Sequence, residues 1–362
     1  MSDSKFNNFY QQPGQRKDHR QRIQAGFSLV ELMVSLTIGL VITVAALSAY
    51  VGSSNAGRVA DAQSRMNEDA QAALSTLSQQ VRLAGANPVQ VGRVYPFRRN
   101  PVYLATYAGG TSITYIPPLP STVTLPSFSP STYTLSAFAV RGCDGTFSNI
   151  TNTAANRLDA LTCATTTTTL PDSIAVSYES DQFNTVKVGV LPSDCLGQKL
   201  SIAATVTSAL TSIPNGSTIT VADNRFYIAN QPNRSPTVPS LYCKGNGNTQ
   251  PQPLVENVED MQLTYGVVST TDTAEQSTIA GYLTANQVET ETSMAALANS
   301  GLRWGRVLSV RICVVVRSEN PVAPDAASGK YYKCDGTLDS SKTDLRLRRA
   351  YSTTVVLRNR RA

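Results

Sequence analysis

Very few side chains in this sequence can do acid–base or covalent chemistry near neutral pH. The 362 residues include one histidine, His19, in a polar and basic opening stretch. If that stretch is removed, the chain cannot build a Ser-His-Asp triad, a Cys-His pair or a His-ligated zinc site. An ordinary hydrolase or metalloenzyme is disfavoured and no cofactor or metal is expected, while carboxylate-only chemistry such as glycoside hydrolysis stays open on composition alone. The six cysteines offer a different chemistry. Cys143, Cys163, Cys195, Cys243, Cys313 and Cys334 have no Cys-x-x-Cys spacing for zinc or thiol exchange. An even set confined to one part of a chain reads as disulfides formed outside the cytoplasm. The expected pairing is sequential: Cys143–Cys163, Cys195–Cys243 and Cys313–Cys334, the middle pair by elimination. The outer two would close loops of about 20 residues, each contributing on the order of 3 kcal/mol.

The third chemically notable residue is Glu31, and the element around it explains why. Charged residues are only 15% of the chain, hydrophobic residues 41%, and the formal net charge is +6. From Leu32 to Gly57 no residue is charged. As a helix that run rises about 39 Å, and about 20 apolar residues already span a bilayer. Lys5, Arg16, Lys17, Arg20 and Arg22 precede it against Asp3 and Asp18, which places residues 1–26 in the cytoplasm and the rest beyond the membrane. A cleaved secretory signal fits poorly, because its apolar region is shorter and ends in a small-residue cleavage site. A plain signal anchor fits better but leaves Glu31 unexplained. A carboxylate at mid-membrane costs on the order of 2.5–3.5 kcal/mol, less near the interface.

Gly26-Phe27-Ser28-Leu29-Val30-Glu31-Leu32-Met33 resembles the class III signal of type IV prepilins and pseudopilins. The resemblance implies that a prepilin peptidase cuts after Gly26 and methylates Phe27, leaving Glu31 as the fifth-position glutamate. The leader is longer than in the commonest pilins. After such a cut a cationic amine at Phe27 and the Glu31 carboxylate lie about 6 Å apart along one helix. Between packed helices, Glu31 of one subunit can meet the amine of its neighbour and fix the stagger, since a slipped register leaves a buried charge unpaired. A helix-start glutamate that merely complements the dipole is the plainer alternative.

Beyond Gly52-Ser53-Ser54-Asn55 the helical pattern continues. Val59, Ala62, Met66, Ala70, Ala73, Leu74, Leu77 and Val81 mark one face, and Gly85 with Asn87-Pro88 stops it. The prediction is one helix of about 55 residues, about 80 Å long. The implied organisation is a leader (1–26), a membrane or filament-core half-helix (27–52), an amphipathic half (53–87) and a head (88–362). Short β-branched runs in the head predict strands near Ser112–Ile116, Tyr133–Val140, Ser173–Tyr178, Thr185–Val190, Ser217–Val221, Arg225–Ile228, Met261–Val268, Val307–Val316 and Thr353–Leu357. A further helix is expected near Ser293–Leu302, and Thr165–Thr169 as loop or edge. The expected fold is α+β and type IV pilin-like: a long amino-terminal helix, about residues 28–84, on a large β-rich, disulfide-stapled head of one or two subdomains.

Three head segments sharpen the resemblance. Pro253-Leu254-Val255-Glu256-Asn257-Val258-Glu259-Asp260-Met261-Gln262-Leu263-Thr264-Tyr265-Gly266 is similar to a stretch of PilW-type minor pilins. Asp344-Leu345-Arg346-Leu347-Arg348-Arg349-Ala350-Tyr351 is similar to the Arg-rich final strand of PilW and of J-type pseudopilins, and Arg141-Gly142-Cys143-Asp144-Gly145 is PilW-like. The resemblance implies a minor pilin that helps initiate pilus assembly at or near the tip. Its partners would be other minor pilins, the major pilin, a tip adhesin and the prepilin peptidase, with the inner membrane as its site before assembly. A J-type minor pseudopilin of a type II secretion system, usually with a smaller head, and an uncleaved membrane-anchored adhesin are the alternatives. Arg346, Arg348 and Arg349 form a candidate partner-facing basic set. DNA binding by these three with Arg358, Arg360 and Arg361 lacks the interleaved aromatic residues that stack bases. Gly245-Asn246-Gly247 is too short for a phosphate loop. The echo of Cys143-Asp144-Gly145-Thr146 in Cys334-Asp335-Gly336-Thr337 predicts two similar tight turns.

Overall fold

The first element is the helix α1, Leu29–Leu83, whose start and stop follow from local chemistry. Glu31 lies in its first turn and Arg82 in its last, each complementing the helix dipole. Gly85, at φ +71°, takes the left-handed position after the helix, and its N–H donates to Ser177 O at 2.9 Å. The computed structural model describes residues 26, 28–86, 139–150, 158, 161–164, 170–181, 183–200, 220–247, 250–268, 278–295, 300 and 303–359. It adds the backbone alone of 105–106, 114–115, 128–130, 202–206, 218–219, 301–302 and 360. Phe27, Thr165–Thr169 and most of the run predicted at Tyr133–Val140 lie outside the described residues. The chain divides into two units, residues 1–56 and 57–362.

In the second unit β1 (Ala105–Thr106) and β2 (Thr114–Tyr115) form a short antiparallel ribbon. The larger sheet contains β3 (Phe128–Pro130), β4 (Val140–Cys143), β5 (Ser173–Glu179), β6 (Ile202–Val206), β7 (Thr218–Asn230), β8 (Pro239–Lys244) and β9 (Gln252–Glu256). Its order is β3-β6-β7-β5-β4, with β8 also on β7 and β9 on β8. The second sheet is built from β10 (Val258–Val268), β11 (Ile279–Leu283), β12 (Val307–Arg317) and β15 (Arg348–Val356), all antiparallel, in the order β11-β10-β12-β15. Asn257 alone connects β9 to β10, and it does so at φ +62°, a conformation asparagine tolerates better than most residues. Helices α2 (Ala285–Thr290), α3 (Thr292–Ala295) and α4 (Ser300–Gly305) lie between β11 and β12. The hairpin β13 (Tyr331–Tyr332)–β14 (Leu338–Asp339) precedes β15.

The core gathers where helical and strand periodicities meet. Met66, Ala70, Ala73, Leu77 and Val81 of α1 are buried in one cluster with Val140, Phe226, Tyr265, Trp304 and Val314. Small residues at 70 and 73 let the helix approach the head closely. Tyr265 and Trp304 meet edge to face at 4.9 Å.

Three sequence expectations are corrected. Thr185–Val190 is no strand: Gly189 turns at φ +66°, a single bridge joins Val188 to Leu191, and Val186 and Val190 stay in solvent. The runs predicted at Ser217–Val221 and Arg225–Ile228 are one strand, β7. Its polar centre is buried but satisfied. Asp223 N–H donates to Asn246 Oδ1, Asn224 Nδ2 to Gln80 Oε1 (2.8 Å), and Arg225 pairs with Asp223 at 3.4 Å. In place of the one helix expected at Ser293–Leu302, α3 ends at Ala295 and α4 starts at Ser300, with α2 ahead of both. Helix α2 starts at a capping box, Thr284 with Gln287, which was legible as Thr-Ala-Asn-Gln.

Candidate functional site: an assembly surface

Residues 29–58 of α1 are all exposed, including Leu29 (76%), Leu36 (63%) and Tyr50 (72%). An apolar surface of this extent requires cover. Its polar atoms are mostly turned inward: the hydroxyls of Ser35, Thr37, Thr43 and Ser48 donate to carbonyls three or four residues back, at 2.5–2.9 Å. A helix that satisfies its own polar groups can enter hydrocarbon. Mean hydropathy over its most apolar window is 2.3. Glu31, exposed in the first turn, is the one charged side chain of the run from Leu29 to Gly57. Gly26 and Ser28 precede the helix without regular structure, and Leu32 N–H reaches back to Ser28 O.

In the head, the candidate basic set separates. Arg348 is turned inward, its side chain 1% exposed. Its Nε donates to Glu259 Oε2 at 2.5 Å, and Nη1 and Nη2 donate to the two Asp344 oxygens at 2.7 Å. Arg346, its side chain 11% exposed, donates to the Ser318 and Glu319 carbonyls. Of the three, only Arg349 is exposed, its guanidinium over the Tyr351 ring. A partner-facing role for Arg346 and Arg348 is therefore corrected, because carboxylates and carbonyls of the head itself hold them. The hydrogen bond from Arg348 holds the Asp344 carboxyl down at about 2. Burial opposes the Arg348 charge, but the two carboxylates outweigh it and raise its pKa. Glu259 is on β10 and Arg348 on β15, with β12 between them, so this side chain ties the first strand of the sheet's centre to its edge.

A second polar cluster was not legible in the sequence. Asp172, 5% exposed, accepts Leu263 N–H at 2.7 Å and Gly145 N–H at 3.1 Å, joining β10 to the turn after β4. Burial, with Asp144 and Asp260 nearby, raises its carboxyl to about 7. Asp144 takes Thr284 Oγ1–H and the Ala285 and Asn286 N–H groups at the start of α2. No motif spacing links 144, 172 and 263; only the sheet register brings them together. The two echoed turns share a left-handed glycine, Gly145 at φ +96° and Gly336 at φ +79°, but Asp335 stays local, accepting from Thr337 and pairing with Lys333 at 3.8 Å. Gly245 and Gly247 pack against the Asp194 carboxylate, which accepts Gly247 N–H. The structure joins Cys143 to Cys163, Cys195 to Cys243 and Cys313 to Cys334. Among the described residues no three His, Cys, Asp or Glu side chains converge to hold a metal ion.

Two family models match the chain. Residues 21–47 match the prokaryotic N-terminal methylation motif, and residues 225–359 match the type IV pilus-assembly protein W. The two matched segments are those of a type IV pilus-related pilin. The W segment spans β10, β12 and β15 with the Glu259–Arg348–Asp344 cluster inside it, and the methylation motif spans the start of α1. This pilin therefore has the long helix, β-rich head and three disulfides of its expected class, and its apolar helix fits membrane anchoring. No curated protein matches it. Among solved structures, a type IV-like pilin from Thermus thermophilus is 12% identical over 53% of this chain and 79% of that one, with a TM-score of 0.22. At that score the pairing adds nothing to the assignment.

Proposed function

We propose that this pilin is a minor pilin of the PilW type that helps start pilus assembly and stays at or near the tip, among other minor pilins, the major pilin and a tip adhesin. The observation that carries this reading is the exposed, uncharged helix with a single carboxylate in its first turn, joined in one chain to the W segment. Such a helix cannot remain in water, and bilayer and filament core are the two environments that cover it. In this reading the prepilin peptidase removes residues 1–26 on the cytoplasmic side and methylates Phe27. The subunit waits as a single-pass inner-membrane protein with its head in the periplasm. On entering the filament, Glu31 pairs with the amine of a neighbour, so the stagger with all charges paired is favoured over any slipped one. The role is structural, without a catalytic centre.

The test is direct. Peptide mapping of the protein from native membranes should find a start at methylated Phe27. Glu31→Ala should leave that start unchanged while surface pili fall at least tenfold, counted by electron microscopy. Normal piliation in that variant, or a mature chain that still begins at its leader, overturns the reading. So does a deletion strain with normal pili and defective secretion.

A further inference from the structure

Among the described residues, β15 is an edge strand with nothing paired to its outer side. It bonds only to β12, and the register runs without a bulge from Arg348 to Val356. The other sheet edges are blunted in the ways proteins use against unwanted pairing. β9 carries Pro253 and an irregular register on β8, β11 is irregular against β10, and β3 and β4 are three and four residues long. β15 has nine residues and no proline, glycine or lysine.

The hydrogen bonds at the two ends of β15 identify its open groups. Ser318 N–H donates to Leu347 O and Leu357 N–H to Leu308 O, both at 2.8 Å. Bonded pairs alternate along an antiparallel ladder, so odd-numbered residues of β15 bond to β12 and even-numbered ones turn their N–H and C=O groups outward. The outward groups of Ala350, Ser352 and Thr354 have no partner among the described residues. Beyond them lies a shallow cleft of about 760 Å³, whose opposite wall is α1. Tyr351 Oη donates to Asn67 Oδ1 and Asn359 Nδ2 to Arg82 O, so helix and strand run side by side in one direction. The wall from Gln71 to Leu83 is about 18 Å long, roughly five or six extended residues. Leu74 and Leu83 are half-buried in it, with the small Ser75 and Ser78 beside them. Among the described residues no carboxylate lines the cleft, whereas Arg82 does. Arg349 and Arg358 stand near the two ends of β15. All three arginines are exposed, and none has a carboxylate partner among the described residues.

We propose that β15 takes an extended segment of a different subunit as a fifth strand of its sheet, with carboxylates at the ends of that segment meeting Arg349 on one side and Arg82 with Arg358 on the other. Backbone bonds to Ala350, Ser352 and Thr354 hold the added strand, and its alternate side chains pack on Leu74 and Leu83. The occupant is not a second copy of this chain. Two β15 strands paired about Ser352 would set Arg346 opposite Arg358 at both ends, and like charges opposed across strands are destabilising. The contact rests on the minor-pilin reading only for which neighbours supply the strand.

The experiment measures hydrogen exchange, residue by residue and by mass spectrometry, on the full chain taken from native membranes into detergent micelles. The probe is a synthetic peptide as long as β15, nine residues, alternating valine with threonine and ending in glutamate on both sides. In the chain alone the amides of Ala350, Ser352 and Thr354 should exchange fast, while those of Tyr351, Thr353 and Val355 are protected. The peptide should slow the first three at least tenfold and leave the others unchanged, and the same peptide ended in lysine should not. Thr354→Pro removes one outward N–H where an edge strand tolerates proline, and should abolish the effect with little change in melting. Arg82→Glu should cut the effect of the acid-ended peptide at least fivefold. Protection of the three amides in the chain alone, constant or rising with its concentration, means that the chain itself or a second copy fills the edge, and overturns the proposal. Equal protection by both peptides, or by neither, overturns it as well. The same spectra report the amino terminus. A methylated Phe27 start with an edge that takes no peptide removes this contact and leaves the pilin reading intact, whereas peptide binding by a chain that keeps its leader does the reverse.

Discussion

Asp172 and Arg348 show how opposite protonation behaviour serves the same structural end. Burial raises the Asp172 carboxyl from the usual carboxylate value to about 7. Between about pH 4 and pH 7 the folded chain therefore binds more protons at this site than the unfolded chain does, and stability falls as pH rises through that window. Across the whole window the loss is on the order of 2–4 kcal/mol. Thermal melts of the full chain in detergent should show the midpoint falling from pH 5 to pH 8, and Asp172→Asn should flatten that slope while lowering the midpoint at pH 5. A slope unchanged in the variant would remove Asp172 as its source. Asp344 has the opposite sign: its carboxyl, held at about 2 by Arg348, contributes stability above the ordinary carboxylate range that is lost in acid. Arg348→Ala should lower stability by about 2–3 kcal/mol, less than a fully buried pair because Asp344 is 40% exposed, while Arg349→Ala should stay within about 0.5 kcal/mol. Urea denaturation separates these two outcomes. The sequence made the arginines conspicuous but could not say which faced inward. On alternating strand positions Arg348 and Arg349 point to opposite faces, and only the register against β12 decides which face meets Glu259.

Elements were legible in proportion to how local their determinants are. The helix was visible almost to the residue, since a 3.6-residue apolar period and a glycine stop are properties of a short window. Strand β7 was not, because Asp223-Asn224-Arg225 has the composition of a turn. The segment remains a strand because Gln80 and the Ile150 carbonyl accept from the Asn224 and Arg225 side chains, and Asn246 Oδ1 accepts the Asp223 backbone N–H. Close packing between elements was likewise hidden. Gly142 of β4 lies against Tyr265 of β10, and a Cβ there would sit 1.8 Å from the phenol oxygen. Gly142→Ala should therefore cost more than an ordinary overpacking change, above about 3 kcal/mol, and Tyr265→Phe should recover part of it by removing that oxygen. Differential scanning calorimetry of the single and double variants tests this; additive losses would mean that the two positions do not meet. On α1, Ala73→Leu should cost about 1–3 kcal/mol by forcing the helix away from the core, whereas Leu36→Ala should leave the head's melting unchanged.

At the scale of the whole molecule, the three disulfides determine where this chain can be folded. They enclose sequence separations of 20, 48 and 21 residues. In the chain-entropy view each of the short loops contributes about 3 kcal/mol and the long one about 4 kcal/mol, roughly 10 kcal/mol together. Native domains are stable by about 5–15 kcal/mol in total. Reduction should thus remove most or all of the head's stability, so that it folds only after the chain has crossed into an oxidising compartment. The three bonds are not equivalent. Cys195–Cys243 closes the longest loop, fastens the 193–200 segment to β8, and Cys243 is fully buried. Cys163, by contrast, is exposed. Graded reduction followed by alkylation and mass spectrometry should find Cys143–Cys163 opened first and Cys195–Cys243 last. The double variant Cys195→Ala/Cys243→Ala should lose the most stability of the three pairwise deletions. If instead the reduced head keeps a cooperative melt near that of the oxidised protein, the core built on α1, β10 and β12 is sufficient alone, and the disulfides serve resistance to unfolding outside the cell.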